Sequence, residues 1–299
     1  MVDVVVLGTV GLDDVETPFG KVESALGGSG SYASFACSFF AKPGLVSIVG
    51  EDFPKHHVAA FEKRGINLDG VVRRGKTFRW GAVYEFDMNE AKTLRTELNC
   101  ITEFSPNLPP VYRAAKFVFL GNLDPDVQMQ AFKQLRSPEF VAMDTMNLWI
   151  EHKKEKLLEM ISKVDVLLLN DGEARELFKT VNLVTAAKKA LSLGPRAVII
   201  KKGEHGSLLF TKDSHFSACG YPLEVVKDPT GCGDTFGGAF VGYLAKTKDI
   251  SEKNMRRAIV YGSVLASFNA EDFSLRRMEK LTHGEIEKRY EEMKVMREF

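Results

Sequence analysis

The sequence predicts an α/β fold: a mostly parallel central sheet with helices on both faces, three layers in all, and a small β-sheet lid. Three observations carry this. Short apolar runs at Val4–Leu7, Leu45–Val49, Phe117–Leu120, Val141–Met143, Val166–Leu169 and Val198–Ile200 are strand-sized and alternate with amphipathic segments. Two segments, Val15–Leu26 and Thr77–Asp87, break the alternation because they are half-polar and β-rich, with no helical pattern between Val71 and Asp87. No repeat, low-complexity run or linker divides the 299 residues, so the chain reads as one domain, 1–299, with a lid from roughly 14–26 and 71–90.

Taken in order, Val2–Leu7 ends at Gly8 as a buried strand would, and T-V-G-L-D-D follows. Pro18-Phe19-Gly20 marks a turn inside the first lid segment. Gly27-Gly28-Ser29-Gly30-Ser31 interrupts the polar alternation, and Tyr32 to Phe40 is small and aromatic at helical spacing. Asn170 and Glu173 follow a buried strand with the three-residue spacing of a helix cap. Lys201-Lys202-Gly203-Glu204-His205-Gly206 lies between two strand runs and reads as a hairpin turn. Ala258–Asn269 is a small-residue helix, and Thr282 with Glu285 forms a capping box that opens the last helix.

The chemistry concentrates in Lys227–Gly242, K-D-P-T-G-C-G-D-T-F-G-G-A-F-V-G. Thr230-Gly231-Cys232-Gly233 is too small to carry a core, yet Phe236, Ala239, Phe240, Tyr243 and Leu244 recur at helical spacing, so a glycine turn opens a helix here. Its first N–H groups, from Gly231, Cys232 and Gly233, lack intrahelical partners and lie at the positive end of the helix dipole, where an anion is favoured. A carboxylate at Asp234 would repel a phosphate held there. It is either a first-turn acid or a general base that takes a proton from an attacking hydroxyl.

D-P-T-G-C-G-D-T-F-G-G-A resembles the C-terminal signature of the ribokinase-like, or PfkB-type, carbohydrate and nucleoside kinases, whose usual form is D-T-T-G-A-G-D-x-F. The resemblance implies that Asp234 is the catalytic base, that Gly231, Cys232 and Gly233 form the anion hole, and that ATP with Mg²⁺ is the phosphoryl donor. Pro229 and Cys232 depart from the family form, but Cys232 keeps its N–H, and the N–H lost at Pro229 is not one the hole uses. Asp13 matches the early aspartate that binds substrate hydroxyls. Gly27-Gly28-Ser29-Gly30-Ser31-Tyr32-Ala33 is similar to the first family signature, G-G-x-x-x-N-x-A, with Tyr32 where Asn is usual. Asn170 and Glu173 resemble the N-x-x-E motif that orients Mg²⁺ and phosphates, largely through water, and a helix cap fits the same pair. Gly203 is similar to a G-x-x-G turn near the nucleotide. Thr230 is a nucleotide-loop residue and, with Asp228, a candidate for a K⁺ site. Arg79, Trp80, Tyr84 and Glu85, in the second lid segment, would help choose the acceptor. A homodimer through the lid edges is a further expectation.

Two other phosphate motifs match by letter. Gly70 to Thr77 satisfies the P-loop pattern, with Phe140–Asp144 as a strand ending in a metal-binding acid, but Gly65-Ile66-Asn67-Leu68-Asp69 precedes it and a β-rich run, Phe78 to Phe86, follows it, where a buried strand and a helix are needed. Gly28, Gly30 and Ala33 satisfy a dinucleotide fingerprint with Glu51 near ribose distance, which would make an NAD(P)-binding oxidoreductase. That reading leaves Asp234 unexplained. A third alternative is a non-catalytic sugar or nucleotide sensor on a kinase fold.

Lys+Arg and Asp+Glu each number 40, so there is no basic field for nucleic acid, and the longest apolar runs are far short of a membrane span. Cys37, Cys100, Cys219 and Cys232 are widely spaced, as reduced thiols are, and no basic, apolar leader opens the sequence, so a cytoplasmic location is expected. Among the 6 histidines, His56 and His57 are adjacent and read as surface residues on different faces.

Overall fold

The computed structural model describes residues 2–298. Its strands are β1 (Val4–Leu7), β2 (Gly11–Thr17), β3 (Gly20–Gly27), β4 (Pro43–Val49), β5 (Asn67–Arg73), β6 (Phe78–Tyr84), β7 (Ala91–Glu97), β8 (Phe117–Leu120), β9 (Phe140–Met143), β10 (Val166–Asn170), β11 (Ala197–Lys201), β12 (Ser207–Thr211) and β13 (His215–Ala218). Nine of them form the large sheet, in the order β13-β12-β11-β10-β9-β8-β1-β4-β5. From β11 to β5 the neighbours run parallel, whereas β12 and β13 are antiparallel at one edge.

The central strands are apolar throughout because both their faces are covered. On β1, Val4 and Val6 enter one core while Val5 and Leu7 enter the other, as the two-residue period requires. The helices Ser29–Cys37, Cys232–Thr247 and Glu252–Asn269 pack on the first face. Gly238 and Gly242 let the Cys232 helix approach the Ser29 helix closely, since a methyl at either position would press on Ala33 or Cys37 backbone.

The small sheet has the order β3-β2-β6-β7. It extends beyond the expected segments. β2 begins at Gly11, β7 adds a fourth strand, and Val71–Arg73 pair with β4 in the large sheet. Because Val71–Arg73 are in β5 and Phe78 begins β6, no helix follows the P-loop letters, and that match fails on structure as on context.

The His56 and His57 rings do not stand on different faces. Consecutive helical residues are only about 100° apart, and these rings lie with centroids 4.1 Å apart. His57 is partly buried, and burial, with the neighbouring His56, pushes its imidazole down to about 4. Among the described residues no helix is long and apolar enough to cross a membrane, and all four cysteines are free.

Candidate active site

The site lies beyond the C-terminal ends of the parallel strands, where the helix Cys232–Thr247 begins. Gly231 caps that helix in the left-handed region, at φ 73°, and the Tyr32 ring fills the space its side chain would need. Glycine is therefore required twice over, by conformation and by contact. The Cys232 N–H donates to Pro229 O at 3.2 Å, so the chain itself uses this member of the expected anion hole. The Gly231 and Gly233 N–H groups make no hydrogen bond among the described residues. Burial, opposed by a contact with Asn269, pushes the Cys232 thiol up to about 12, so it is not a thiolate near neutrality.

Asp234 stands in the first turn, and among the described residues its carboxyl meets no helix N–H but its own. Burial first, and then the Asp144 carboxylate, push its carboxyl up to about 7, against the pull of Lys201. Asp144, one residue past β9, pairs with Lys201, the last residue of β11, and its other oxygen accepts the Thr145 N–H at 2.9 Å. Glu173 faces the same cluster, and burial reinforced by Asp144 raises its carboxyl although Lys201 opposes the shift. Asn170 and Glu173 form a full capping box, with each side chain accepting the other's N–H at 2.7 Å. Helix capping is thus a built task of this pair.

Asp13 projects from β2 and is 4% exposed. Its Oδ1 is buried without a hydrogen-bond partner. Burial, together with Asp228, Asp14 and Asp234, raises its carboxyl to about 8. Gly27 leaves space for this carboxylate, and Gly28, at φ 93°, precedes the Ser29 helix. Asp13 registers with Trp80 on β6, so the two side chains stand on one face of the small sheet. Tyr84 and Trp80 share that face's apolar cluster, and the Thr230 hydroxyl donates to Tyr84 Oη at 3.2 Å. Arg79 donates to Ser24 Oγ and Glu85 pairs with Lys92 on the surface, so Trp80 and Tyr84 are the expected lid residues that line the inner face. At the far end, Asn89, between β6 and β7, closes on Gly203, so the small sheet touches both the Thr230 loop and the Gly203 turn.

The Asp228 carboxylate accepts the N–H groups of Thr230 and Ser274, each at 2.9 Å, and so ties the glycine loop to the chain after the Glu252 helix. Burial raises its carboxyl as well.

The family model for pfkB family carbohydrate kinases matches residues 4–280. The chain belongs to that family. It is therefore a member of an ATP-using group of phosphotransferases. The cytidine kinase of Thermococcus kodakarensis is 28% identical over 258 residues, covering 84% of this chain and 92% of that one. The Methanocaldococcus jannaschii nucleoside kinase has the same fold, with a TM-score of 0.78 at 20% identity, covering 97% of this chain and 98% of that one. Arabidopsis thaliana ribokinase, solved with ribose and ATP, gives 0.77 at 18% identity and covers 97% and 98%.

This kinase family member does not carry the dinucleotide fingerprint its letters suggest. The strand before Gly28 is β3, an edge strand of the small sheet that runs antiparallel to its neighbour β2. The N–H groups at the start of the Ser29 helix are already engaged: Ser29 by Thr9 Oγ1 at 2.9 Å, Gly30 by Thr9 O at 2.8 Å, and Ser31 by Gly28 O at 3.0 Å. No donors remain there for a pyrophosphate. Sequence reasoning named Asp144 only within the rejected P-loop reading and Lys201 only as the start of a turn, and so missed them as a pair in this site. The usable signal was their place, at the ends of parallel strands in a chain whose other polar site residues stand there too.

Proposed function

We propose that this kinase transfers the γ-phosphoryl group of MgATP to a hydroxyl of a sugar, cyclitol, nucleoside or related polyol, with Asp234 as general base. The observation that carries the reading is the Asp234 carboxyl, raised to about 7 by burial and Asp144, beside the unbonded N–H groups of Gly231 and Gly233. A base with its pKa near the working pH is well matched to deprotonating a hydroxyl as it attacks. The two N–H groups would receive oxygens of the transferring phosphoryl.

Asp13 would bind acceptor hydroxyls, since its unpartnered buried oxygen lacks the hydrogen bonds a polyol would supply. Gly27, Gly28 and Tyr32 would border the acceptor, and Trp80 would offer it a flat apolar face. The similarity to a cytidine kinase over most of the chain makes a nucleoside ribose the first acceptor to try.

The donor set suits Mg²⁺. Among the described residues no three acidic, histidine or cysteine side chains converge as a direct metal cage. Magnesium characteristically takes one or two carboxylates, substrate phosphates and several waters. Glu173, with Asn170 orienting it, would hold such a hydrated ion, which when bound neutralises phosphate charge. Gly203 and Thr230 would border the nucleotide. A K⁺ ion at Asp228 and Thr230 would have to share Asp228 oxygens that both already accept backbone N–H groups.

The small sheet would act as the lid of a single domain, closing over the acceptor and excluding water. Pairing of two copies through its edges, and a cytoplasmic location, complete the proposal. The test is ADP formation from MgATP across a panel of nucleosides, sugars and cyclitols. Acceptor-dependent turnover is expected. Tight acceptor binding with no turnover would support the sensor alternative instead.

A further inference from the structure

Lys201 has no task in the scheme above. Its ammonium is largely buried, 16% exposed, and its hydrogen bond among the described residues goes to Asp144. An ammonium carries three donors, so two are left over in a place with little water. Nζ lies 3.0 Å from where a methyl on Gly233 would sit, against the backbone of the anion hole. Asp144, Glu173 and Asp234 all act on it, and it is the cation that acts on both Glu173 and Asp234. Burial alone would lower its pKa, but these three carboxylates outweigh burial and hold it up, so it is charged at neutral pH.

Asp144 is already matched by this ammonium, and Asp234 is partly ionised near pH 7, so the cluster does not present an excess of positive charge to a triphosphate. The two unused Lys201 donors bring positive charge to the backbone of the anion hole, beside any that a hydrated Mg²⁺ supplies. We infer that Lys201 is a catalytic residue: held by Asp144 through one N–H, it presents its other two to the oxygens of the γ-phosphoryl beside the Gly231 and Gly233 N–H groups. A lysine suits this better than an arginine, because its compact charge can turn one donor toward a fixed partner and another toward a moving group. In the step, the acceptor oxygen forms its bond to phosphorus while the bond to the ADP oxygen breaks. The hydroxyl proton goes to Asp234, and Lys201 keeps all its protons.

The inference rests on the phosphoryl-transfer reading, and the experiment separates the two. Binding of magnesium-loaded β,γ-imido ATP and of MgADP is measured by calorimetry for the wild type and Lys201→Met, beside acceptor-dependent ADP formation. Loss of a charge-assisted contact to the γ-phosphoryl should weaken the triphosphate analogue ~10–100-fold. MgADP affinity should stay within about 2-fold of wild type. Turnover should fall ~10²–10³-fold, as for loss of one preorganised donor. Equal weakening of both nucleotides, or wild-type turnover in Lys201→Met, would overturn the role. Because the single variant leaves Asp144 buried and unpaired, Asp144→Asn/Lys201→Met is measured in parallel and should show the same preferential loss of the triphosphate. Loss of both nucleotides in both variants would assign the pair to holding the fold, and would also overturn the inference. A wild type without acceptor-dependent turnover would sink the phosphoryl-transfer reading itself.

Discussion

The Asp13 carboxylate occupies the space that a side chain on Gly27 would need, so Asp13, on the neighbouring strand of the small sheet, requires glycine at position 27. A buried carboxylate with an unpartnered oxygen is costly to the fold, and a group kept at such cost is characteristically functional.

That cost makes a pH-dependent prediction. The folded-state pKa of Asp13, about 8, lies above its ordinary value of 3.8, so the folded protein holds a proton that the unfolded chain has released. The associated stability is fully present below pH 3.8, falls as pH rises between these values, and is lost above about 8. Asp13→Asn removes a charge that the fold disfavours. The variant should therefore gain more thermal stability at pH 8 than at pH 4, while its KM for acceptor rises and its KM for ATP stays constant. Melting curves at the two pH values and a two-substrate kinetic matrix check this. A stability change independent of pH would show that Asp13 is ionised in the folded state.

Gly231 supports a prediction about the anion hole. Alanine there would adopt the left-handed region and overlap the Tyr32 ring. Gly231→Ala should cost about 1–3 kcal/mol of stability by denaturant titration, from strain and overpacking together. Turnover should fall further than stability alone explains, because the displaced loop carries the phosphate donors. A variant with an unchanged midpoint and full activity would contradict the loop geometry.

The outer strand of the small sheet, β7, bears on assembly. Leu94 on it is 70% exposed, and Phe86 just before it is 98% exposed. Exposed apolar residues at a strand edge invite pairing, although Lys92 and Arg95 on the same strand moderate it. Sedimentation at micromolar concentration should show a dimer that Leu94→Glu dissociates. A wild-type monomer throughout that range would contradict association through this edge.

The parts of the fold legible in the sequence were those where burial writes a simple pattern. The central strands are covered on both faces and so are continuously apolar: the expected Phe117–Leu120 is β8, and the expected Leu45–Val49 lies within β4. The strand β7 was illegible because Ala91–Thr96 are exposed on both sides and carry no alternation. The segment Asn67–Arg73 was also missed, since it is an edge strand with only Gly70 fully buried. The glycine loop and Asp234 could be read because their chemistry is contiguous. Asp144 and Lys201 are 57 residues apart and meet through strand order, which local spacing does not encode.

The most direct test of the account is the pH dependence of acceptor-dependent turnover for the wild type beside Asp234→Asn. The base must be ionised to act, so activity should rise with pH along a limb centred at about 7 rather than near the ordinary carboxylate value of 3.8. Asp234→Asn should lose ~10²–10⁴-fold in kcat while still binding MgATP. A variant that keeps the wild-type kcat and the same limb would show that another group takes the proton.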